Sequence, residues 1–306
     1  MSAPERVLRA GGRRITLGGA PLLMGIVNAT PDSFSDAGDL ADAGDRIARA
    51  RELVAAGARI VDIGGESAFG GRAPVPADEE AARVVPVIEA IARDRDVLIA
   101  VDTYKAPVAE AAIAAGAHIV NDVSGLRDPE LAEVCAGTGA ALVLMHTRVA
   151  PKGTLLDPAF YDDVVADVRD FLSERMAVAE AAGLHPEQLL LDPGPDFAKT
   201  PAQTVAVLRG LDVLHALGRP LLLPISRKDF LGAITGRPPR ERGAATLAAV
   251  GWAADAGAHA LRVHDVAAAA DFLAVRAVLR GDRALEPAAG LTRDRYPDGT
   301  VPPSLG

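Results

Sequence analysis

A (β/α)8 TIM barrel with a short N-terminal β-hairpin is the fold this sequence predicts, and three observations carry the prediction. Eight short runs rich in Val, Ile and Leu alternate with Ala-rich helical stretches, a Gly-Ala pair recurs where helix gives way to strand, and aromatic residues make up only 4% of the 306-residue chain. Aliphatic runs of this kind suit parallel strands buried between helices better than the strands of a β-sandwich.

The hairpin comes first, because residues 6–9 and 14–17 flank Gly11 and Gly12 and read as two short strands plugging the N-terminal end of the barrel. The barrel strands are expected at residues 22–27, 59–64, 97–102, 118–121, 141–145, 189–192, 220–225 and 260–263. Eight alternating units imply a parallel sheet, and eight is the number at which such a sheet closes. Gly57-Ala58, Gly116-Ala117, Gly139-Ala140 and Gly257-Ala258 each precede a strand. Glycine there can take the left-handed conformation that ends a helix, so these pairs mark the bottom of the barrel. The single domain is expected to fill residues 1–281, and residues 282–306, rich in Pro, Gly, Asp and Arg, to form a loosely ordered tail without chemistry.

Composition narrows the partners. A net charge of -9 with no clustered Lys/Arg stripe argues against nucleic acid. Cys135 is the single cysteine, so neither a disulfide framework nor a thiolate metal cluster can form, and a reducing, cytoplasmic setting follows. Within its helical stretch Cys135 reads as a small buried apolar residue rather than a nucleophile. No apolar run approaches the roughly 18 residues that a membrane span needs.

Buried parallel strands should end in apolar residues unless the C-terminal mouth of the barrel, where such folds build their sites, requires otherwise. Here polar residues crowd those ends: Asn28, then Asp62 and Glu66, Asp102, Asn121 and Asp122, His146, Asp192, the Ser226-Arg227-Lys228 run, and Arg262 with His264. Any one of them can cap a helix, but a contribution from every strand points to one convergent pocket. Acids and amides fall on strands three, four and six, and cations on strands seven and eight. Asp102 and Asp192 suit a heterocycle presenting an amino group beside a ring N–H. Lys228, Arg262 and His264 suit phosphate oxygens, which this fold binds after its last two strands. His118, His185, His215 and His259 read as structural. No His pair has zinc spacing, whereas a loosely held Mg2+ near Asn28 would leave almost no signature.

Read as motifs, these positions closely resemble the dihydropteroate synthase family. MGIVNATPDSFSD begins at Met24, and DIGGES, VDTYK, NDVSG, LMH, LDPG, SRK and RVHDV follow in family order over roughly residues 20–280. The resemblance implies an enzyme that condenses a dihydropterin diphosphate with p-aminobenzoate and releases pyrophosphate. It implies that Asp102, Asn121 and Asp192 bind the pterin nitrogen edges, that Lys228 reaches its carbonyl and N5 side, and that Arg262 stacks on the ring. Asn28 would hold Mg2+ and pyrophosphate, with Arg262 and His264 on the phosphates. Phe34 would close over the reacting centre, and Met145, Phe197 and Ser226 would complete the substrate site. A homodimer is implied too, and apolar Leu247, Val250 and Trp252 offer a face for it.

Three positions depart from the family pattern. Residues 67–71 read SAFGG where STRPG is usual, which leaves Arg72 to replace the displaced arginine; Asp196 stands at the first glycine of GFGK; and Asp229 follows SRK where serine is frequent. Phe69, Asp196 and Asp229 are therefore expected to reshape the aminobenzoate pocket and weaken sulfonamide binding. They also keep open two other readings, a non-catalytic pterin-binding paralogue and, more remotely, a Schiff-base aldolase using Lys228.

Overall fold

The structure is a computed structural model that describes residues 4–28, 43–67, 73–93 and 97–286. Phe34, Phe69, Arg72 and most of the expected tail lie outside the described residues. The chain opens with an antiparallel hairpin, β1 (Arg6–Ala10) and β2 (Arg13–Leu17). The barrel follows as β3 (Leu22–Asn28), α1 (Ala43–Ala55), β4 (Ile60–Gly64), α2 (Ala77–Ile91), β5 (Leu98–Asp102), α3 (Ala106–Ala114), β6 (Ile119–Asp122) and α4 (Glu130–Thr138). It continues with β7 (Ala141–Met145), α5 (Val164–Ala181), β8 (Leu189–Asp192), α6 (Pro201–Arg209), α7 (Leu211–His215), β9 (Leu222–Pro224), α8 (Asp229–Thr235), α9 (Gly243–Asp255), β10 (Ala260–Val263) and α10 (Val266–Leu279).

The eight barrel strands pair in parallel in the order β8-β7-β6-β5-β4-β3-β10-β9. A parallel bridge between Leu191 and Leu221, with the Leu191 N–H donating to the Pro220 carbonyl at 2.9 Å, joins the two ends and closes the barrel. The expected strands match, with one difference: β9 spans three residues rather than the six expected. Pro220 and Pro224 explain it, since neither has an N–H to give to a ladder.

Two apolar layers follow from the two-residue period of a strand. Val61, Ile63, Ile99, Val101, Leu142, Leu144, Leu191 and Leu261 pack outward in one cluster with the helices. Met24, Ile60, Leu98, Ala100, Ile119, Ala141, Val143, Leu190, Leu222 and Ala260 fill the interior. Leu8, Ala10 and Leu17 of the hairpin belong to that inner cluster, so the plug is part of the core. The hairpin is tied down by the Gly11 N–H, which donates to the Gly139 carbonyl at 2.9 Å, and by Arg13, which donates to the Val97 carbonyl at 2.9 Å.

The four Gly-Ala pairs behave as expected, with φ of 105°, 118°, 75° and 85° at Gly57, Gly116, Gly139 and Gly257. Cys135 is buried in α4, and burial pushes its thiol up to about 12, which leaves it inert. His118 accepts from the Ile99 N–H, His185 caps the turn before β8, and His215 and His259 bond backbone carbonyls. All four are structural.

Because Leu8 is fully buried beneath the barrel, Leu8→Ala should cost about 2–5 kcal/mol, the range for a buried leucine truncated to alanine. Urea unfolding followed by circular dichroism measures this, and an unchanged midpoint would show the plug to be dispensable.

Candidate active site

Side chains on a strand alternate between two faces, so the residue two positions beyond an inward apolar one also points inward. Strand by strand, Asp62 follows Ile60 on β4, Asp102 follows Ala100 on β5, Asn121 follows Ile119 on β6, Asp192 follows Leu190 on β8, and Arg262 follows Ala260 on β10. The floor of the barrel is thus apolar and its mouth polar.

Arg262 stands at the centre. Its Nε donates to Asp62 Oδ2 at 2.6 Å and its Nη2 to Asp102 Oδ2 at 2.8 Å. Asn121 Nδ2 donates to the same Asp62 oxygen at 3.1 Å. Asp62 is fully buried, and its Oδ1 has no hydrogen-bond partner among the described residues, so a ligand N–H or a bound water would satisfy it. Burial pushes the Asp102 carboxyl up to about 7 against the pull of Arg262, with Asp62, Glu80 and Asp122 adding to the rise. Burial also pushes Asp192 up to about 6, opposed by the Gly194 N–H, which donates to its Oδ1 at 2.7 Å, and by Lys228.

The basic side is built from the turns after β9 and β10. Lys228 Nζ donates to the Pro195 carbonyl at 3.0 Å and lies 4.4 Å from the centre of the Phe197 ring. His264 Nδ1 and Ser226 Oγ are 2.9 Å apart, and the His264 N–H points to the same oxygen at 3.3 Å. When the hydroxyl donates to Nδ1, the ring proton sits on Nε2 and can serve a ligand oxygen. Burial, with Arg227, Arg262 and Lys228 nearby, holds His264 down at about 3. Burial thus disfavours a charge on His264 and suits its ring to hydrogen bonding. Asn28 ends β3 beside Gly64, half-buried.

A second tier holds these groups. Lys199, buried and pushed down to about 7 by that burial, donates to His146 Nδ1 at 2.7 Å and to the carbonyls of Gly194 and Phe197 at 2.9 and 3.0 Å. His146 passes its other nitrogen to Asp167 at 2.9 Å. Gly194 has φ of 63°, and a Cβ there would lie 2.0 Å from the His146 carbonyl oxygen, so glycine is required. Asp102 and Phe197 also border a cavity of about 480 Å³, counting its open part, whose other walls include Tyr104, Val123, Thr147 and Lys152; Asn121, Asp192, Lys228, Arg262 and His264 lie outside its lining.

The structure brings Asp102, Asn121, Asp192, Lys228, Arg262, Ser226 and His264 to one end of the barrel, with Met145 paired to Asp192 across β7 and β8. Asp62 was given no role by sequence, although its place at a strand end was a signal, and Lys199, which keeps the final lysine of GFGK, was given none either. At two of the departures the carboxylate has a partner within the protein. The Asp229 side chain is 76% exposed and pairs with Arg242 at 2.9 Å, and Asp196 accepts backbone N–H groups from α8.

Residues 24–264 match the family described as pterin binding enzymes. The dihydropteroate synthase of Escherichia coli K12 is 44% identical over 246 residues, covering 80% of this chain and 87% of that protein. The chain belongs to the dihydropteroate synthase family of pterin-binding enzymes. A probable bifunctional folylpolyglutamate synthase/dihydropteroate synthase of Haloferax volcanii is 47% identical over 80% of this chain, which spans 29% of that longer protein. Dihydropteroate synthase of Xanthomonas albilineans, solved with 4-aminobenzoic acid, superposes with a TM-score of 0.82 at 43% identity, covering 92% of this chain and all of that one.

Asp102 gives a pH prediction. Its folded pKa is raised from 3.8 to about 7, so its contribution to stability is fully present below 3.8 and is lost as pH rises through about 7. Asp102→Asn removes that loss, and the Tm of the variant relative to wild type should be higher at pH 8 than at pH 5. An equal difference at both pH values in calorimetry would refute the assignment.

Proposed function

We propose that the chain is a dihydropteroate synthase, joining 6-hydroxymethyl-7,8-dihydropterin diphosphate to p-aminobenzoate with release of pyrophosphate. The observation that carries this reading is the meeting of an acidic rim and a basic rim, tied together by Arg262, at one barrel mouth. Asp102, Asn121 and Asp192 bind the amino and ring N–H groups of the pterin, Lys228 binds its carbonyl side, and Arg262, fixed by two carboxylates, stacks on the ring. The His264 ring N–H and the Ser226 turn bind the diphosphate.

The carbon–oxygen bond to the diphosphate breaks, leaving positive charge spread over the electron-rich pterin. Asp102 and Asp192 stabilise that charge in a site of low dielectric. The amine nitrogen of p-aminobenzoate then bonds to the methylene carbon and loses a proton. Loss of the leaving group precedes attack, so no protein nucleophile is required.

Mg2+ fits this site through the chemistry of its donors. Asn28 offers one hard oxygen, and no group of three His, Cys, Asp or Glu residues able to hold a metal occurs among the described residues. A cation would thus rely on phosphate oxygens and water, as Mg2+ does. When bound, it would offset negative charge on the departing diphosphate.

We also propose a cytoplasmic homodimer. No described helix is long and apolar enough to cross a membrane. Trp252 on α9 and Val275 and Leu279 on α10 are exposed, at 41%, 59% and 83%. Val250, offered by the sequence for that face, is instead fully buried, and Leu247 packs against the core.

A pyrophosphate-release assay tests the reaction. Steady-state release should rise with p-aminobenzoate and fall with EDTA until Mg2+ is restored, and Lys228→Ala or Arg262→Ala should lower kcat/KM by about 10²-fold or more. A wild-type enzyme that releases no pyrophosphate would favour the non-catalytic paralogue.

A further inference from the structure

Lys228 stands on a turn between β9 and α8 that does not hold its shape unaided. Arg227 has φ of 58°, in the left-handed region that a side chain disfavours. The Lys228 side chain gives α8 no cap. Groups from elsewhere hold the turn instead. Thr246 Oγ1, on α9, accepts the Arg227 N–H at 3.1 Å. The buried Arg242 donates through Nη1 to the carbonyls of Arg227 and Lys228 at 2.8 and 3.0 Å, and the same nitrogen is anchored by Asp229 Oδ1 at 2.9 Å.

From the opposite side, Asp196 Oδ2 accepts the N–H groups of Asp229 and Phe230 at 2.6 and 3.3 Å, supplying the cap that α8 lacks. Asp196 is itself held by the buried Thr204, whose hydroxyl donates to Oδ1 at 3.1 Å and accepts the Asp196 N–H at 3.0 Å. The carbonyl of the preceding residue, Pro195, accepts from the Lys228 ammonium. One loop therefore grips both the head of Lys228 and the backbone behind it.

We propose that Asp196, with the Arg242–Asp229 pair, is a positioning residue that fixes the Lys228 turn. The two aspartates that depart from the family pattern then act on the pterin half of the reaction, through Lys228, rather than on the aminobenzoate carboxylate. The kinetic consequence rests on the synthase reading; the structural one does not.

The test uses Asp196→Gly, which removes the carboxylate while tolerating the φ of 65° at this position, and Asp196→Asn, which keeps an acceptor oxygen. In Asp196→Gly, hydrogen exchange at the Asp229 and Phe230 amides should accelerate by about fivefold to tenfold, the equivalent of a lost cap. Asp196→Asn should restore much of the protection. The kcat/KM for the pterin diphosphate should fall by a similar factor, and that loss should vanish in a Lys228→Ala background. Unchanged exchange, or losses that multiply in the double variant, would overturn the proposal. Exchange needs no turnover, so a wild type without activity would sink the synthase reading while the clamp is still judged by its amides.

Discussion

Arg262 reaches the barrel mouth from the last strand and is held there by Asp62 and Asp102 from two others, and the arrangement of the site depends on that charge balance. A guanidinium in so enclosed a place needs carboxylates beside it, because an unpaired buried charge costs several kcal/mol. Two acids for one cation leave an excess of negative charge. Burial, with Asp62 and the other nearby acids adding to it, raises Asp102 against the pull of Arg262.

Groups at the barrel mouth are held in turn by others behind them. Lys199 ties the β8 turn to His146, which bonds Asp167 in turn. Ser226 orients His264, and burial with the surrounding cations disfavours a charge on that ring. On the basic side His264 is thus a directional hydrogen-bonding group, while Arg262 and Lys228 contribute charge.

Much of this was legible in residue order. The eight runs, the Gly-Ala turns and the hairpin emerged within a residue or two, β9 apart, because strand period and left-handed glycine are local properties. The polar strand ends were legible for the same reason: Asp102, Asn121, Asp192 and Arg262 each stand two residues past an inward apolar one. Direction and partnership were not legible. Helix α9 is apolar around most of its circumference, so sequence could not separate buried Val250 from exposed Trp252.

What the sequence determined by itself was the barrel and the chemistry gathered at its mouth, since both are written in patterns a few residues long. Only the tertiary structure decided that Asp62 joins Arg262 across 200 residues of chain, that burial disfavours a charge on His264, and that Asp196 and Asp229 turn to α8 and Arg242. Those outcomes depend on which loops meet once the barrel closes, and on the dielectric their meeting creates. No local pattern carries that information.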